Sequence, residues 1–176
     1  MKKGLAVFLA VFISLSAIAQ ESDMKSMPGY VDFGALDSVY GEPRVRINIG
    51  STLLKFMAAV SKEDPEAAML MRNLDGVRIN IYSTSGQMDA AAEQIARVKE
   101  VLRKESWEPI VQVKESDEEV QIFILADETG MQGLTVMTVD EEEAVFINIL
   151  GEIDPSKLSM VLKQLNTDVD IDQEEQ

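Results

Sequence analysis

The chain has no cysteine and no histidine. Without cysteine it has no disulfide, no thiol nucleophile and no lipid anchor on a cysteine. Without histidine it lacks the commonest general base near neutral pH and the commonest transition-metal ligand. Aromatic residues are sparse, at 6% of the chain, and positive charge is short: 16 Lys plus Arg stand against 31 Asp plus Glu, a formal charge of -15. Such a balance repels nucleic acid and anionic lipid and argues against both as partners. There is no glycine-rich phosphate loop and no nucleophile elbow. Long apolar runs are also missing, apart from one at the start.

That run, Leu5 to Leu15, follows Lys2 and Lys3 and precedes Ala17-Ile18-Ala19. A positive n-region, an apolar core and a small-x-small triplet make a secretory signal, with cleavage expected before Gln20. The run falls short of the ~20 residues that span a bilayer. The expectation is a cleaved signal over 1–19 and an exported protein with no membrane span once the signal is removed. A bacterial periplasm suits the lack of cysteine, since oxidising destinations usually attract disulfides.

The 176 residues suit a single domain, and 46% apolar content is enough for a core. One octet occurs almost twice: Val45-Arg46-Ile47-Asn48-Ile49-Gly50-Ser51-Thr52 and Val77-Arg78-Ile79-Asn80-Ile81-Tyr82-Ser83-Thr84. A third version is Val145-Phe146-Ile147-Asn148-Ile149. At period two the aliphatics fall on one side and Arg and Asn on the other, the pattern of a strand with one dry and one wet face. On that reading Ile79→Asp prevents folding and Asn80→Asp is tolerated.

Before the first octet, residues 20–29 read as a flexible polar arm ending at Pro28-Gly29, and Tyr30-Val31-Asp32-Phe33 as a short strand or an aromatic tuck. Ser51 or Thr52 is placed to cap a helix carrying Leu53, Phe56, Met57 and Val60. Asp64-Pro65-Glu66 starts another, which Asp75-Gly76 ends. The octet strands could then be joined in parallel sense through a helical crossover. The longest helix, Gln87 to Lys104, stripes Met88, Ala91, Ala92, Ile95, Val98 and Leu102. Four strands follow, near 108–114, 119–126, 131–139 and 144–150, linked by short acidic or glycine-bearing turns as an antiparallel meander. Asp154-Pro155 opens a last helix with Leu158, Val161, Leu162 and Leu165 at i, i+3, i+4 and i+7, and 166–176 reads as a disordered acidic tail. The domain is therefore expected over 30–165. Its class is α+β: about six strands, mixed or antiparallel, with helices mainly on one face.

Few residues invite chemistry. Asp168-x-Asp170-x-Asp172 opens like a calcium loop but has Gln173 where glycine is needed. Ser22-x-x-Lys25 lacks the Lys-Thr-Gly companion of penicillin-recognising enzymes. Met24, Met27, Met69 and Met71 could suggest copper, yet Met69 and Met71 cannot face one point from a helix, and methionine ordinarily fills cores. No catalytic residue, metal site or cofactor is assigned.

The meander supplies a different candidate. Phe123, Leu125, Met137, Phe146 and Leu150 fall opposite their aliphatic strand-mates, on the face where the octets carry Arg46, Asn48, Arg78 and Asn80. That face reads as apolar at one end and polar at the other. The apolar five form a candidate surface for an envelope protein partner or self-association, unless the N-terminal arm or the last helix covers them. The polar four form a candidate face for a small ligand.

Pro28-Gly29-Tyr30-Val31-Asp32, Trp107, Gly133-Leu134-Thr135-Val136 and Val145-Phe146-Ile147-Asn148-Ile149-Leu150-Gly151-Glu152-Ile153-Asp154 resemble a family of small exported bacterial proteins, domain-of-unknown-function family four-two-five-two. The resemblance covers most of the chain after the leader. It implies no activity and no catalytic residues. Some relatives carry a lipid-anchor cysteine, which this chain lacks, and extracytoplasmic sigma-factor neighbours imply a link to envelope signalling. The expected function is a non-catalytic periplasmic interaction module; the alternative is a small-ligand or metal carrier.

Overall fold

The two octets lie side by side. Val45–Gly50 is β1 and Leu74–Ser83 is β2, paired antiparallel with Ile47 opposite Ile79. A single crossover helix would have left them parallel. Two helices stand between them, α2 (Ser51–Val60) and α3 (Pro65–Asn73), and the extra reversal returns the chain in the opposite sense. The computed structural model describes residues 24–61, 63–85, 88–128 and 130–153. Its other elements are α1 (Leu36–Tyr40), α4 (Met88–Lys104), β3 (Glu108–Lys114), β4 (Glu118–Asp127), β5 (Gly130–Asp140) and β6 (Glu143–Ile153). The protein is α+β. The six strands make one wholly antiparallel sheet in the order β1-β2-β6-β5-β4-β3, with the expected four-strand meander at its C-terminal side. The last expected helix and the acidic tail lie outside the described residues, as do the leader and residues 20–23.

Local signals explain some of the boundaries. Asp64 Oδ1 accepts the Ala67 amide at 2.9 Å and Pro65 fills the first turn of α3. Neither Ser51 nor Thr52 caps α2; Gly50 holds that position and the helix leaves β1 with no loop between. Gly76 does not end α3 either. It sits within β2 beside a shift in register, and a Cβ there would lie 2.6 Å from Met24 Sδ. The glycine is needed for close approach of the arm, not for a helix cap.

The register stacks cross-strand neighbours into rows. On one face Ile47, Ile79, Ile147, Val136, Ile122 and Val111 form a continuous line across all the strands. A parallel line runs Val45, Ile81, Val145, Thr138, Val120 and Val113. Helices α2 and α3 pack on this aliphatic face through Leu54, Leu70 and Met71. On the opposite face the corresponding rows are Arg46, Asn80, Phe146, Met137, Gln121 and Gln112, then Asn48, Arg78, Asn148, Thr135, Phe123 and Pro109. Here α4 contributes Ala91, Ile95, Val98 and Leu102 to a second core with Phe33, Tyr82, Phe123, Met137 and Phe146. Helices thus lie on both faces, because the octet face that carries Arg and Asn continues into an apolar half that needs α4 as its cover.

The N-terminal stretch completes that cover. Residues 24–29, the described part of the expected flexible arm, are turned and packed: Met27 N donates to Met24 O at 3.0 Å and Met24 is buried. The arm crosses the sheet where Gly29 meets Gly133. A Cβ on Gly133 would stand 2.7 Å from Gly29 Cα and 2.9 Å from the Trp107 ring. Two glycines are what allow backbone to lie on backbone there. Beyond the crossing Val31, Phe33 and Leu36 enter the core, while Tyr30 stays half-buried against Arg78; of the two aromatics Phe33 tucks, and the stretch does not form a strand.

Candidate functional site

The five residues expected to form a partner surface do not reach solvent together. Phe123, Met137, Phe146 and Leu150 are each 0% exposed, and Leu125 is partly buried against the same core. This corrects the expectation. The apolar half-face is covered by α4 and the arm, and burying aromatics and long aliphatics there contributes roughly 1.5–3 kcal/mol per side chain. Phe146 stacks against Phe33, Tyr40 and Tyr82, with ring centres 5.3, 5.8 and 6.3 Å away.

The polar four are brought together. Arg46, Asn48, Arg78 and Asn80 line one cleft of about 380 Å³, closed on its other side by Lys25, Tyr30, Asp32 and residues 33–38. Part of that polarity is structural. Arg78 Nη1 donates to Val31 O at 2.8 Å, and its guanidinium carbon lies 4.4 Å from the centre of the Tyr30 ring. Asn148, which the chain's third octet copy supplies, is 0% exposed. Its Oδ1 accepts the Val31 amide at 2.9 Å and its Nδ2 donates to Gly29 O at 2.8 Å. Gln94 of α4 donates to Phe33 O and accepts from Arg97 Nη2 at 2.8 Å. The arm's extended backbone has no ladder of its own here, so side-chain amides and one guanidinium satisfy it.

At the other end of the cleft Arg46 Nη2 donates to both oxygens of Asp37 at 2.7 Å, and Tyr82 Oη donates to Asp37 Oδ1 at 2.7 Å. The Arg46 and Tyr82 hydrogen bonds hold the Asp37 carboxyl below its ordinary value of 3.8. Burial, followed by its hydrogen bond to Asp37, pushes the Tyr82 phenol up to about 12. Burial likewise raises Tyr40 to about 12.

Arg78 differs from Arg46. It is 7% exposed, it has no carboxylate within ion-pair distance among the described residues, and its Nε has no hydrogen-bond partner. A buried cation without a counter-ion is costly, and it lies on the wall of a cleft also lined by Lys25, which forms no ion pair among the described residues, and by Asp32. The cleft is thus a positive spot in a chain of net charge -15. The period-two reading placed the four polar residues on one face. The same alternation puts Tyr82 on that face, two residues past Asn80 on β2; it could not reach Asp37, Lys25 or Tyr30 as cleft neighbours, since nothing local links the arm to the strands. Among the described residues no cluster of acidic side chains is placed to hold a metal ion, and no helix is long and apolar enough to cross a membrane.

Residues 40–161 match the family described as Domain of unknown function (DUF4252). The chain belongs to that family. No curated protein and no solved structure matches it. The family match begins at Tyr40, so the strands that carry Arg46, Arg78 and Asn148 fall inside the DUF4252 domain, while the arm they clamp precedes it.

Proposed function

We propose that this DUF4252 protein is an exported, non-catalytic binding protein whose site is the cleft under the N-terminal arm, and that it takes a small carboxylate. The observation that carries this reading is Arg78: a buried guanidinium on a cleft wall, flanked by an aromatic face, with no carboxylate of its own among the described residues. A planar guanidinium pairs with a carboxylate in matching geometry, and a low-dielectric wall strengthens the attraction. The cleft volume suits a metabolite-sized ligand, and Arg78 and Lys25 set against Asp32 leave one net positive charge, which suits a monoanion. Asn48 and Asn80 offer neutral donors and acceptors along the same wall.

The test is a thermal-shift and calorimetric screen with acetate, benzoate, N-acetyl amino acids and inorganic phosphate. A carboxylate present at about 100 times its Kd should stabilise the fold by about 2.7 kcal/mol. Arg78→Lys keeps the charge and loses the planar fork, and should weaken binding at least tenfold. Asn48→Ala should weaken it less. A carboxylate response that survives Arg78→Lys unchanged would overturn the assignment, as would no response from any carboxylate.

The interaction-module reading loses the surface first assigned to it. A periplasmic location, an envelope protein partner and self-association belong with this proposal as the setting in which such a binder works. The location draws support from the leader's sequence and the cysteine-free composition.

A further inference from the structure

The two edges of the sheet are finished differently. β3, at one end of the strand order, carries the devices that keep an edge from pairing. Pro109 has no N–H to offer, Ile110 falls at a break in register, and Glu108 and Lys114 put charge at both ends of the strand. β1, at the other end, has neither proline nor break: its register against β2 runs evenly from Val45 to Gly50. Its outward N–H and C=O groups face no strand among the described residues. Charge does not guard it either, since Arg46 is bound by Asp37 and Arg44 lies 3.7 Å from Glu143. The apolar surface beside this edge is also uncovered. Val45 and Ile47 are each 37% exposed. Helix α2 leaves β1 without a loop and packs on β1 and β2, so it lies along the same side of the sheet. It buries Leu54 and Ala58, while Leu53, Phe56, Met57 and Val60 recur at i, i+3, i+4 and i+7 and stay exposed, Phe56 by 64%. An amphipathic helix ordinarily buries such a stripe.

We propose that a second copy of this chain covers this edge, pairing β1 with β1 antiparallel about a two-fold axis at Ile47. Two features select a copy of the chain itself. The first is self-complementarity. Residues directly opposite in an antiparallel pair share a face. A centre at Ile47 sets Val45 against the second copy's Ile49, and Arg46 against the second copy's Asn48. Aliphatic then meets aliphatic on one face, and a guanidinium meets a neutral amide on the other. A centre one residue earlier would set Arg46 against Arg46. The second feature is charge. A chain of net charge -15 repels its own copies. Residues 43–62, which hold both β1 and α2, contain no Asp or Glu and are the longest such stretch after the leader. That segment is where two copies approach at least electrostatic cost. The pairing joins two sheets into one and places both α2 helices along the seam, an isologous contact. Both clefts, lined by Arg46 and Asn48, then open on one face of the assembly.

The test is sedimentation velocity on the chain purified after export, over a dilution series. A dimer mass that dissociates on dilution is the expected result, and a monomer at every concentration up to the millimolar range would overturn the proposal. Ile47→Lys places two like charges at the axis and should convert the dimer to monomer while Trp107 keeps its native emission. Val113→Lys, at an equally exposed site on the guarded edge, should leave the dimer intact. A dimer that survives Ile47→Lys, or that Val113→Lys disrupts as much, would overturn the assignment. The absence of cysteine supplies a second measurement. A short thiol-to-thiol cross-linker should join two copies of Ile47→Cys and should not join copies of Val113→Cys. No cross-link at 47, or equal cross-linking at both positions, would count against β1. If Ile47→Lys does not fold, the cross-linking decides.

Discussion

The two faces of the sheet exchange the roles their composition suggests. The octets put Val and Ile on one side and Arg and Asn on the other, yet Arg78 and Asn80 are each 7% exposed while Ile47 is 37% exposed. The polar-looking face is dry because α4 and the arm lie on it, and the arm's backbone gives the polar side chains partners. The aliphatic face is wetter because α2 and α3 roof only one end. Side-chain polarity states a preference for solvent, but a buried amide with partners on both of its atoms is as well placed as a leucine.

The sharpest way to break this comparison is to truncate adjacent residues of β6. Phe146→Ala should cost about 3–5 kcal/mol, whereas Val145→Ala on the other face should cost about 1 kcal/mol. Urea unfolding of the two variants checks this, and equal costs would abolish the distinction. Next in size is Asn148→Ala, which leaves the Val31 amide and the Gly29 carbonyl without partners. Each buried group so stranded costs on the order of 1–3 kcal/mol. Hydrogen exchange at the Val31 amide should accelerate more than exchange within β5. The octet reading itself must be revised in the same sense: Asn80→Asp adds a charge to a buried wall, so it should no longer be the tolerated member of the pair with Ile79→Asp. Comparing their urea midpoints tests this.

The smallest expected effect comes from Asp37. Its folded pKa lies below 3.8 because Arg46 and Tyr82 donate to its charged form. A depressed carboxyl contributes stability above its unfolded pKa and loses it as pH falls through the folded value. Asp37→Asn should therefore cost about 0.2–1 kcal/mol, as an exposed ion pair does, at neutral pH. The difference should shrink below about pH 4, read from thermal unfolding across an acid series. Tyr40 and Tyr82 act in the opposite range. Their folded values of about 12 lie above the ordinary 10, so their contribution is present below pH 10 and is lost as pH rises toward 12.

Much of the strand plan was legible because strands announce themselves locally. Alternation marked the octets and the meander, and acidic or glycine-bearing turns separated β3 to β6 within a residue or two of their ends. Asp64 was legible as a cap for the same reason, since its partner is three residues away. Several misreadings involve distant partners. Gly76 looked like a helix stop because Met24, the atom that needs the space, is far off in sequence. Residues 24–29 looked loose because the Gly29–Gly133 contact is invisible to any window. Phe146 looked like a partner surface because Phe33 and α4 cannot be placed over it by pattern alone. The cleft is the same case: Arg46 and Arg78 could be put on one face, but that one is neutralised by Asp37 and the other is not depends on where the arm lies.

The sequence by itself determined which residues share a strand face, that Asp64-Pro65 starts a helix, and that no thiol or imidazole chemistry is open to the protein. Those follow from backbone periodicity and side-chain inventory, which are local. Tertiary structure alone decided which face is dry, which guanidinium keeps an uncompensated charge, and that a cleft exists between arm and sheet. Burial and pairing depend on what packs opposite, and the residues that pack opposite are set by the closure of the whole chain.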